Sequence, residues 1–312
     1  MRASAILSEP LAGLQAQALG LATAAGLQPR VVELHPRAPW SWVAARMWPA
    51  PLRAVRVPEL GDPELRDGVL FTAGGTAGVV GAALRRSGRP VVQIQHPRID
   101  PARFDVVVVN RHDGLTGPNV IVTRTALHPA TPARLAQAAL DWAPRLAHLP
   151  RPLVAVLVGG SNGRFRLDLP VAQALGAQLV SMMRLDRVGL ALTPSRRTSP
   201  EACAALRAAV EPEGGWVWDM QGDNPYFGLL ALADVIVATE DSVSMVSEAA
   251  ATRAPVLLAL LPGRSRRIRL FNRLLQEDGR VRPFAGRLDG WPVTPIDDTQ
   301  AAADAVRHRL GL

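Results

Sequence analysis

The sequence predicts an α/β protein built of two Rossmann-like domains facing a cleft, and three observations carry that reading. Short apolar runs without alternation, at 106–109, 153–158 and 235–237, are what strands covered by helices on both faces require. Strand-like and helix-like segments alternate along the whole chain, the pattern of doubly wound parallel sheets. The 312 residues, 48% of them hydrophobic, suffice for two cores at about 100 to 200 residues per domain.

Taken in order, Ala5-Ile6-Leu7 reads as the first strand, followed by a helix over 15–25 and a second strand over 30–34. A third strand over 69–72 runs through Ala73-Gly74-Gly75-Thr76 into a helix ending at Arg86. Its glycines are spaced for close packing of helix on strand and do not form a dinucleotide fingerprint. Strands over 91–95 and 104–109 follow. The proline-broken stretch 146–152 reads as a linker, which sets domains at 1–149 and 150–312. In the second domain, strands at 153–158, 189–192 and 235–237 each end in a polar loop, and 299–310 reads as a helix placed to pack back on the first domain.

The 35 basic residues are all arginine, so Schiff-base and P-loop lysine chemistry are excluded. Net charge is +8, yet the arginines read as scattered, with no dense basic tract, zinc-finger spacing or aromatic RNA motif. Nucleic acid is therefore not expected as a partner. Cys203 is the single cysteine, in a helix-like run without a nearby histidine, and reads as a buried spectator. Glu9-Pro10 breaks any signal-peptide core after Arg2, and no run approaches the ~18 apolar residues of a membrane span. A cytoplasmic protein is expected, with peripheral contact at the inner membrane face as a further option. Trp40, Trp42 and Trp48 beside Arg37, Arg46 and Arg53 would suit a lipid interface, or else packing within the domain.

The richest stretch is 222–251. A polar loop carrying Asn224 and Tyr226 leads into an apolar helix, and Asp234 opens a strand ending at Glu240-Asp241-Ser242. Asp241 or Ser242 is placed to cap the next helix, whose first-turn N–H groups attract phosphate. From Asp241, Ser244 and Glu248 follow at i+3 and i+7 on one face, with Met245 between them. A carboxylate at Glu248 matches two ribose hydroxyls, the alternative being a solvated helix residue. Two earlier loops at the same sheet edge, Gly159-Gly160-Ser161-Asn162-Gly163 and Ser195-Arg196-Arg197-Thr198, offer close backbone approach and two guanidiniums for a diphosphate. Such arginines would serve without a metal, and no histidine spacing suggests one. His96, the His112-Asp113 pair and Glu9 are the candidates for acid–base work.

With these residues the chain resembles the mitochondrial fission family named for elongated mitochondria, whose bacterial members are often labelled nucleoside-diphosphate-sugar epimerases. The resemblance rests on Gln95-His96-Pro97-Arg98, 104–108 through His112-Asp113, Gly117-Pro118-Asn119-Val120, 193–198, and 222–226 through Glu248. It implies the GT-B glycosyltransferase fold. Residues 234–248 are similar to a region of the lipid-linked N-acetylglucosaminyltransferase of peptidoglycan synthesis, in which the glutamate matching Glu248 holds the ribose. This chain departs from the family at Ser8-Glu9-Pro10, at 13–17 and at His96, where a Thr-Asp-Gly-like turn, a Gly-His-Glu-Asn-Gln segment and an aspartate are usual.

The expected function is a metal-independent glycosyltransferase without cofactor, taking a nucleotide-diphosphate sugar as substrate and a lipid or membrane-surface acceptor. A sugar-nucleotide 2-epimerase and a non-catalytic membrane-surface adaptor are the alternatives.

Overall fold

Runs of buried valine, leucine and isoleucine build two six-stranded sheets, every strand parallel to its neighbours. The computed structural model describes residues 4–57, 68–85 and 88–312, with Ala12 by its backbone alone. Arg2 and Arg86, which figure in the sequence reading, lie outside the described residues.

The chain divides into unit 1, Met1–Pro129 with Asp297–Leu312, and unit 2, Ala130–Ile296. Unit 1 begins with β1 (Ser4–Ser8), α1 (Ala12–Ala24), β2 (Arg30–Glu33), and a small antiparallel pair, β3 (His35–Pro36) and β4 (Val55–Arg56), with α2 (Pro51–Ala54) between them. It continues through β5 (Val69–Ala73), α3 (Gly75–Arg85), β6 (Val91–Ile94), β7 (Val106–Asn110) and β8 (Val120–Thr123). The strand order is β2-β1-β5-β6-β7-β8. The glycines of α3 do what their spacing predicts: a Cβ on Gly78 or Gly81 would strike Gln93 or Thr72 of the sheet.

Unit 2 opens with α4 (Pro132–Leu146), then β9 (Leu153–Val158), α5 (Leu169–Asp186), β10 (Gly189–Pro194), α6 (Pro200–Val210) and β11 (Trp216–Val217). It closes with α7 (Tyr226–Leu232), β12 (Val235–Thr239), α8 (Val243–Ala250), β13 (Val256–Ala259), α9 (Arg266–Glu277) and β14 (Val281–Pro283). Helix starts follow from local sequence. Thr131, Asp168 and Ser199 cap α4, α5 and α6 through their side chains, each with a proline in the first two helical positions.

The unit boundary falls at Pro129 and Ala130, ahead of the 146–152 stretch that the sequence suggested. Packing is the reason: Trp142 and Leu146 of α4 join the core formed by Leu229, Leu230 and Ile236, and Trp142 seats directly on Gly228, where a Cβ would overlap its ring. The final helix, α10 (Thr299–Leu310), places Ala302, Ala303 and Val306 in the unit 1 core beside Leu21 and Phe71.

Arg280, only 2% exposed, sits between α9 and β14 and donates to the carbonyls of Ala249 (3.1 Å), Ala250 (2.8 Å), Thr252 (2.9 Å) and Ala254 (3.0 Å). It satisfies the orphan carbonyls at the carboxyl end of α8, where a cation also meets the negative end of the helix dipole. Burial lowers its pKa to about 10, so it stays charged at neutral pH. Replacing it, as in Arg280→Leu, strands these acceptors. We expect about 3 kcal/mol of lost stability in urea unfolding, given a penalty of roughly 1 to 3 kcal/mol for an unsatisfied buried group. A loss under about 1 kcal/mol would show that water or relaxation replaces the network.

Candidate functional site

In unit 2 the order β11-β10-β9-β12-β13-β14 means that successive strands run outward from β9 in one direction, and then from β12 in the other. The chain reverses between β9 and β12. Open parallel sheets bind ligands outside the carboxyl ends of their strands at such a switch point. Here that point is occupied by Gly159-Gly160, which follow β9, and by Glu240-Asp241-Ser242, which follow β12.

Asp241 organises the junction. Its Oδ1 accepts from the Thr239 hydroxyl (2.7 Å), its Oδ2 from the Gly160 N–H (3.3 Å), and Arg197 Nη1 lies 2.8 Å from the same oxygen. Thr239 in turn accepts from the Gly159 N–H at 2.8 Å. The carboxylate is fully buried and Arg197 is 40% exposed, so the pair reaches solvent on the arginine side. Glycine is required at both loop positions: a Cβ on Gly159 would overlap the Asp241 carboxylate, and one on Gly160 the Arg197 carbonyl.

The loop after β10 is tied to the same place. The hydroxyls of Ser195 (2.9 Å) and Thr198 both donate to the Gly159 carbonyl. Ser195 Oγ also accepts from the Arg197 N–H at 3.2 Å. The loops after β9, β10 and β12 thus meet at one place. They are joined by two residues that the sequence did not single out for a role: the Thr198 hydroxyl donates to the Gly159 carbonyl, and the Thr239 hydroxyl accepts from the Gly159 N–H.

The remaining site residues separate into different environments. Arg196 is exposed and makes no ion pair among the described residues. Ser242 caps α8, accepting from the Met245 N–H at 3.3 Å, with Ser244 half-buried in the first turn. Ser161 accepts from Leu167 N–H (2.9 Å) and Asn224 from Tyr226 N–H (2.9 Å), so both shape their loops. Met245 packs in the core with Val246 and Ala249.

Glu248 is neither solvated nor on a face shared with Asp241, whose position before the Ser242 cap turns it toward β9. It is 7% exposed and accepts a hydrogen bond from the Tyr226 hydroxyl. Burial pushes the Glu248 carboxyl up to about 7, against the smaller opposing pulls of the Tyr226 bond and the Arg134 charge. Burial and the neighbouring carboxylate hold the Tyr226 hydroxyl well above its ordinary value. Arg134 stacks 3.8 Å from the Phe227 ring centroid, and Phe227 meets Tyr226 edge-on at 5.3 Å.

In unit 1 the sheet reverses between β1 and β5, and a pocket of about 210 Å³ lies there, lined by Glu9, Arg46, Gly75, Thr76, Pro97 and Arg98 among others. His96 is in the loop that ends β6, its Nδ1 accepting from the Arg98 N–H (2.9 Å), with Gln95 and Arg98 both at positive φ, 67° and 59°. Non-glycine residues held there cost about 1 to 3 kcal/mol each and mark sites where the surroundings fix the backbone. Asp113 is 3% exposed at its side chain, accepts from the Asn110 N–H (3.3 Å) and closes a capping box on the turn at Arg111–Asp113. That is a structural task. Cys203 is half-buried, and burial raises its thiol pKa. Among the described residues no group of three or more His, Cys, Asp or Glu is placed to hold a metal ion.

The three tryptophans read together in sequence have different fates. Trp48 is core, 6% exposed, its Nε1 donating to the carbonyls of Trp40 (3.2 Å) and Val43 (3.0 Å). Trp40 packs partly against that core, whereas Trp42 is 83% exposed, near exposed Val43 and Met47. Among the described residues no helix is long and apolar enough to cross a membrane.

Comparison with known proteins agrees with this geometry. A family model described as mitochondrial fission ELM1 matches residues 12–310. The mitochondrial fission protein ELM1 of Arabidopsis thaliana is 33% identical over 247 residues, 70% of this chain but 58% of that protein, so the chain spans less than two thirds of that relative. Among solved structures, the UDP-GlcNAc 2-epimerase of Neisseria meningitidis bound to UDP-GlcNAc superposes with a TM-score of 0.58 at 10% identity, all of both chains being covered. MurG of Acinetobacter baumannii gives 0.55 at 17% identity, over 99% of this chain and 92% of that one. At these identities the likeness shows the fold alone, which is GT-B, with two Rossmann-like domains.

The buried carboxyl of Glu248 generates a prediction. Its folded-state pKa, about 7, lies above the ordinary 4.5, so folding favours the protonated form. That contribution is complete below pH 4.5 and is lost as pH rises through 7. Glu248→Gln keeps the shape without the charge. It should match the parent protein near pH 4.5 and exceed it by roughly 2 to 3 kcal/mol at pH 8 in denaturant unfolding. A stability difference that does not change with pH would mean that the carboxyl titrates alike in the folded and unfolded states.

Proposed function

The chain belongs to the mitochondrial fission ELM1 family, and from that premise we propose that it binds a nucleoside-diphosphate sugar at the carboxyl edge of the unit 2 sheet. The observation that carries this reading is the convergence on Asp241 of the loops after β9, β10 and β12, at the switch point of a sheet in the dinucleotide-binding strand order.

The roles follow from what each group has left to offer. The Gly159 and Gly160 N–H groups are spent on Thr239 and Asp241, so they shape the cradle. Phosphate falls instead to the exposed Arg196 and to the amino end of α8, whose dipole favours an anion. Arg197, partly neutralised by Asp241, lends its exposed side to the same charge. Glu248 accepts from Tyr226 through Oε2, leaving Oε1 for a ribose hydroxyl. Ionisation of Glu248 would strengthen that bond, so ligand and proton compete.

Transfer of the sugar without a metal is the activity that fits this site, the guanidiniums stabilising the departing diphosphate. Glu9 is the acid–base candidate best placed to meet an acceptor, because it lines the unit 1 pocket with Arg46 and Arg98. The 2-epimerase reading shares the fold and the nucleotide site and differs only in the acid–base step.

The test is a thermal-shift and calorimetric panel of UDP, GDP, CDP and ADP with the matching nucleosides. A ligand that binds only the folded protein stabilises it according to its concentration over Kd. Arg196→Ala should weaken the preferred diphosphate about ten- to a hundredfold, the value of a charge-assisted hydrogen bond, and leave the nucleoside unchanged. Equal loss for both ligands would make Arg196 structural, and no binding across the panel would overturn the reading.

A second reading, docking on a lipid surface, is favoured by Trp42 standing 83% exposed with exposed Val43, Met47, Arg37, Arg46 and Arg53 in the same segment. An exposed indole with neighbouring arginines suits the headgroup region of an anionic bilayer. Co-sedimentation with anionic vesicles should exceed that with neutral ones and fall as salt rises, since the attraction is screened over about 10 Å at 0.1 M. Trp42→Ser should remove the salt-resistant part without disturbing the fold, because Trp48 supplies the core contact. Equal sedimentation with both vesicle types would assign Trp42 another role.

A further inference from the structure

The stretch 264–269 contradicts the expectation that no dense basic tract exists: four of its six residues, Arg264, Arg266, Arg267 and Arg269, are arginine. It lies where the loop after β13 becomes α9, on the carboxyl edge of the same sheet. There a concavity of about 550 Å³ is lined by Arg264, Ser265, Arg266, Arg269, Leu270 and Arg273.

Little balances this charge. Arg269 donates to the Gly263 carbonyl (2.8 Å), which is neutral, and Arg273 lies 3.5 Å from the Glu277 carboxylate. Arg264 and Arg266 are exposed and make no ion pair among the described residues. Ser265 is occupied in capping α9, accepting from the Ile268 N–H (3.3 Å) and from Arg164 (3.4 Å), so Arg164 adds a further cation at the rim. Like charges gathered around one concavity repel, and an anion relieves that repulsion while taking forked hydrogen bonds from guanidinium.

The position identifies the class of anion. The loop after β13 is bound to the end of β12 through Glu240, whose Oε1 accepts from the Leu261 N–H (3.0 Å). Asn272 of α9 donates to the Glu240 carbonyl (3.2 Å). Glu240 immediately precedes Asp241. The arginine pocket is therefore the next station along the sheet edge from the nucleotide site, within the same unit. Its concave form and volume suit a small ligand rather than the long face of a nucleic acid.

We propose that this pocket receives an acidic group on the sugar of the bound nucleotide sugar, a carboxylate or a phosphate, and so selects acidic over neutral donors. The inference rests on the nucleotide-sugar reading above, and it predicts what that reading leaves open, the charge of the group carried.

The experiment compares UDP, UDP-glucose and UDP-glucuronic acid by calorimetry at low salt on the full chain, as the parent protein and as Arg266→Ala/Arg269→Ala. Both residues are exposed, so the variant is expected to fold, and its unfolding temperature checks this. UDP-glucuronic acid should bind the parent about ten- to a hundredfold more tightly than UDP-glucose, the range of one charge-assisted hydrogen bond. In the double variant that preference should vanish while affinity for UDP is unchanged. Arg266→Lys/Arg269→Lys should restore part of it. If UDP binds but the two sugars bind equally, the proposal is overturned while the nucleotide site stands. If no uridine ligand binds, thermal stabilisation by inorganic pyrophosphate decides: an effect lost in the double variant supports an anion pocket independent of uridine, and no effect overturns it.

Discussion

The geometry of unit 2 depends on one buried carboxylate. Asp241 stands just past the end of a central strand, where the sheet reverses direction, and takes a hydroxyl, a backbone N–H and a guanidinium at once. A buried carboxylate needs such partners, since leaving it unpaired would cost several kcal/mol. The consequence runs outward. Gly159 and Gly160 must lack side chains to let the carboxylate and the Arg197 carbonyl approach, Thr239 must present a hydroxyl, and Arg197 must turn inward. Arg196, adjacent in sequence, is left facing solvent.

Much of this was legible in the sequence. Parallel strands buried on both faces announce themselves as unalternated valine runs, and the loops at their carboxyl ends carried glycine, hydroxyl and arginine in plain view. Partner choice was less legible. Ser195-Arg196-Arg197-Thr198 reads as two equivalent arginines, and only the fold shows that one is committed to Asp241. Spacing assigns Glu248 a face shared with Asp241 and is silent about what packs there; α7 and α4 bring Tyr226 and Arg134 against it. The three tryptophans share a segment and not an environment, because two short turns lie among them and direct Trp48 inward and Trp42 outward. The arginines of α9 read in the sequence as dispersed charge, because composition is silent about their place after a strand.

The two units answer the ligand question unequally. Unit 2 presents a closed network around Asp241, with Arg196 exposed beside it and Glu248 buried against Tyr226. Unit 1 repeats the topological device, with Glu9 and Thr76 at the reversal of its own sheet, but its candidate acids and bases are differently employed. Asp113 holds a turn together, and His96 has one ring nitrogen fixed by the backbone in a strained loop. The departures from the family pattern fall on this side as well, at Glu9 and at His96.

The discontinuity of unit 1 bears on how the molecule is made. Its core includes Ala302, Ala303 and Val306, which leave the ribosome only after all of unit 2 has been synthesised. Unit 2 is continuous, from Ala130 to Ile296, and has every one of its strands before α10 appears. Leu21 and Phe71 of unit 1 are covered by α10 only once that helix has been made. Along the chain, unit 2 is therefore complete before the last helix of unit 1 is made.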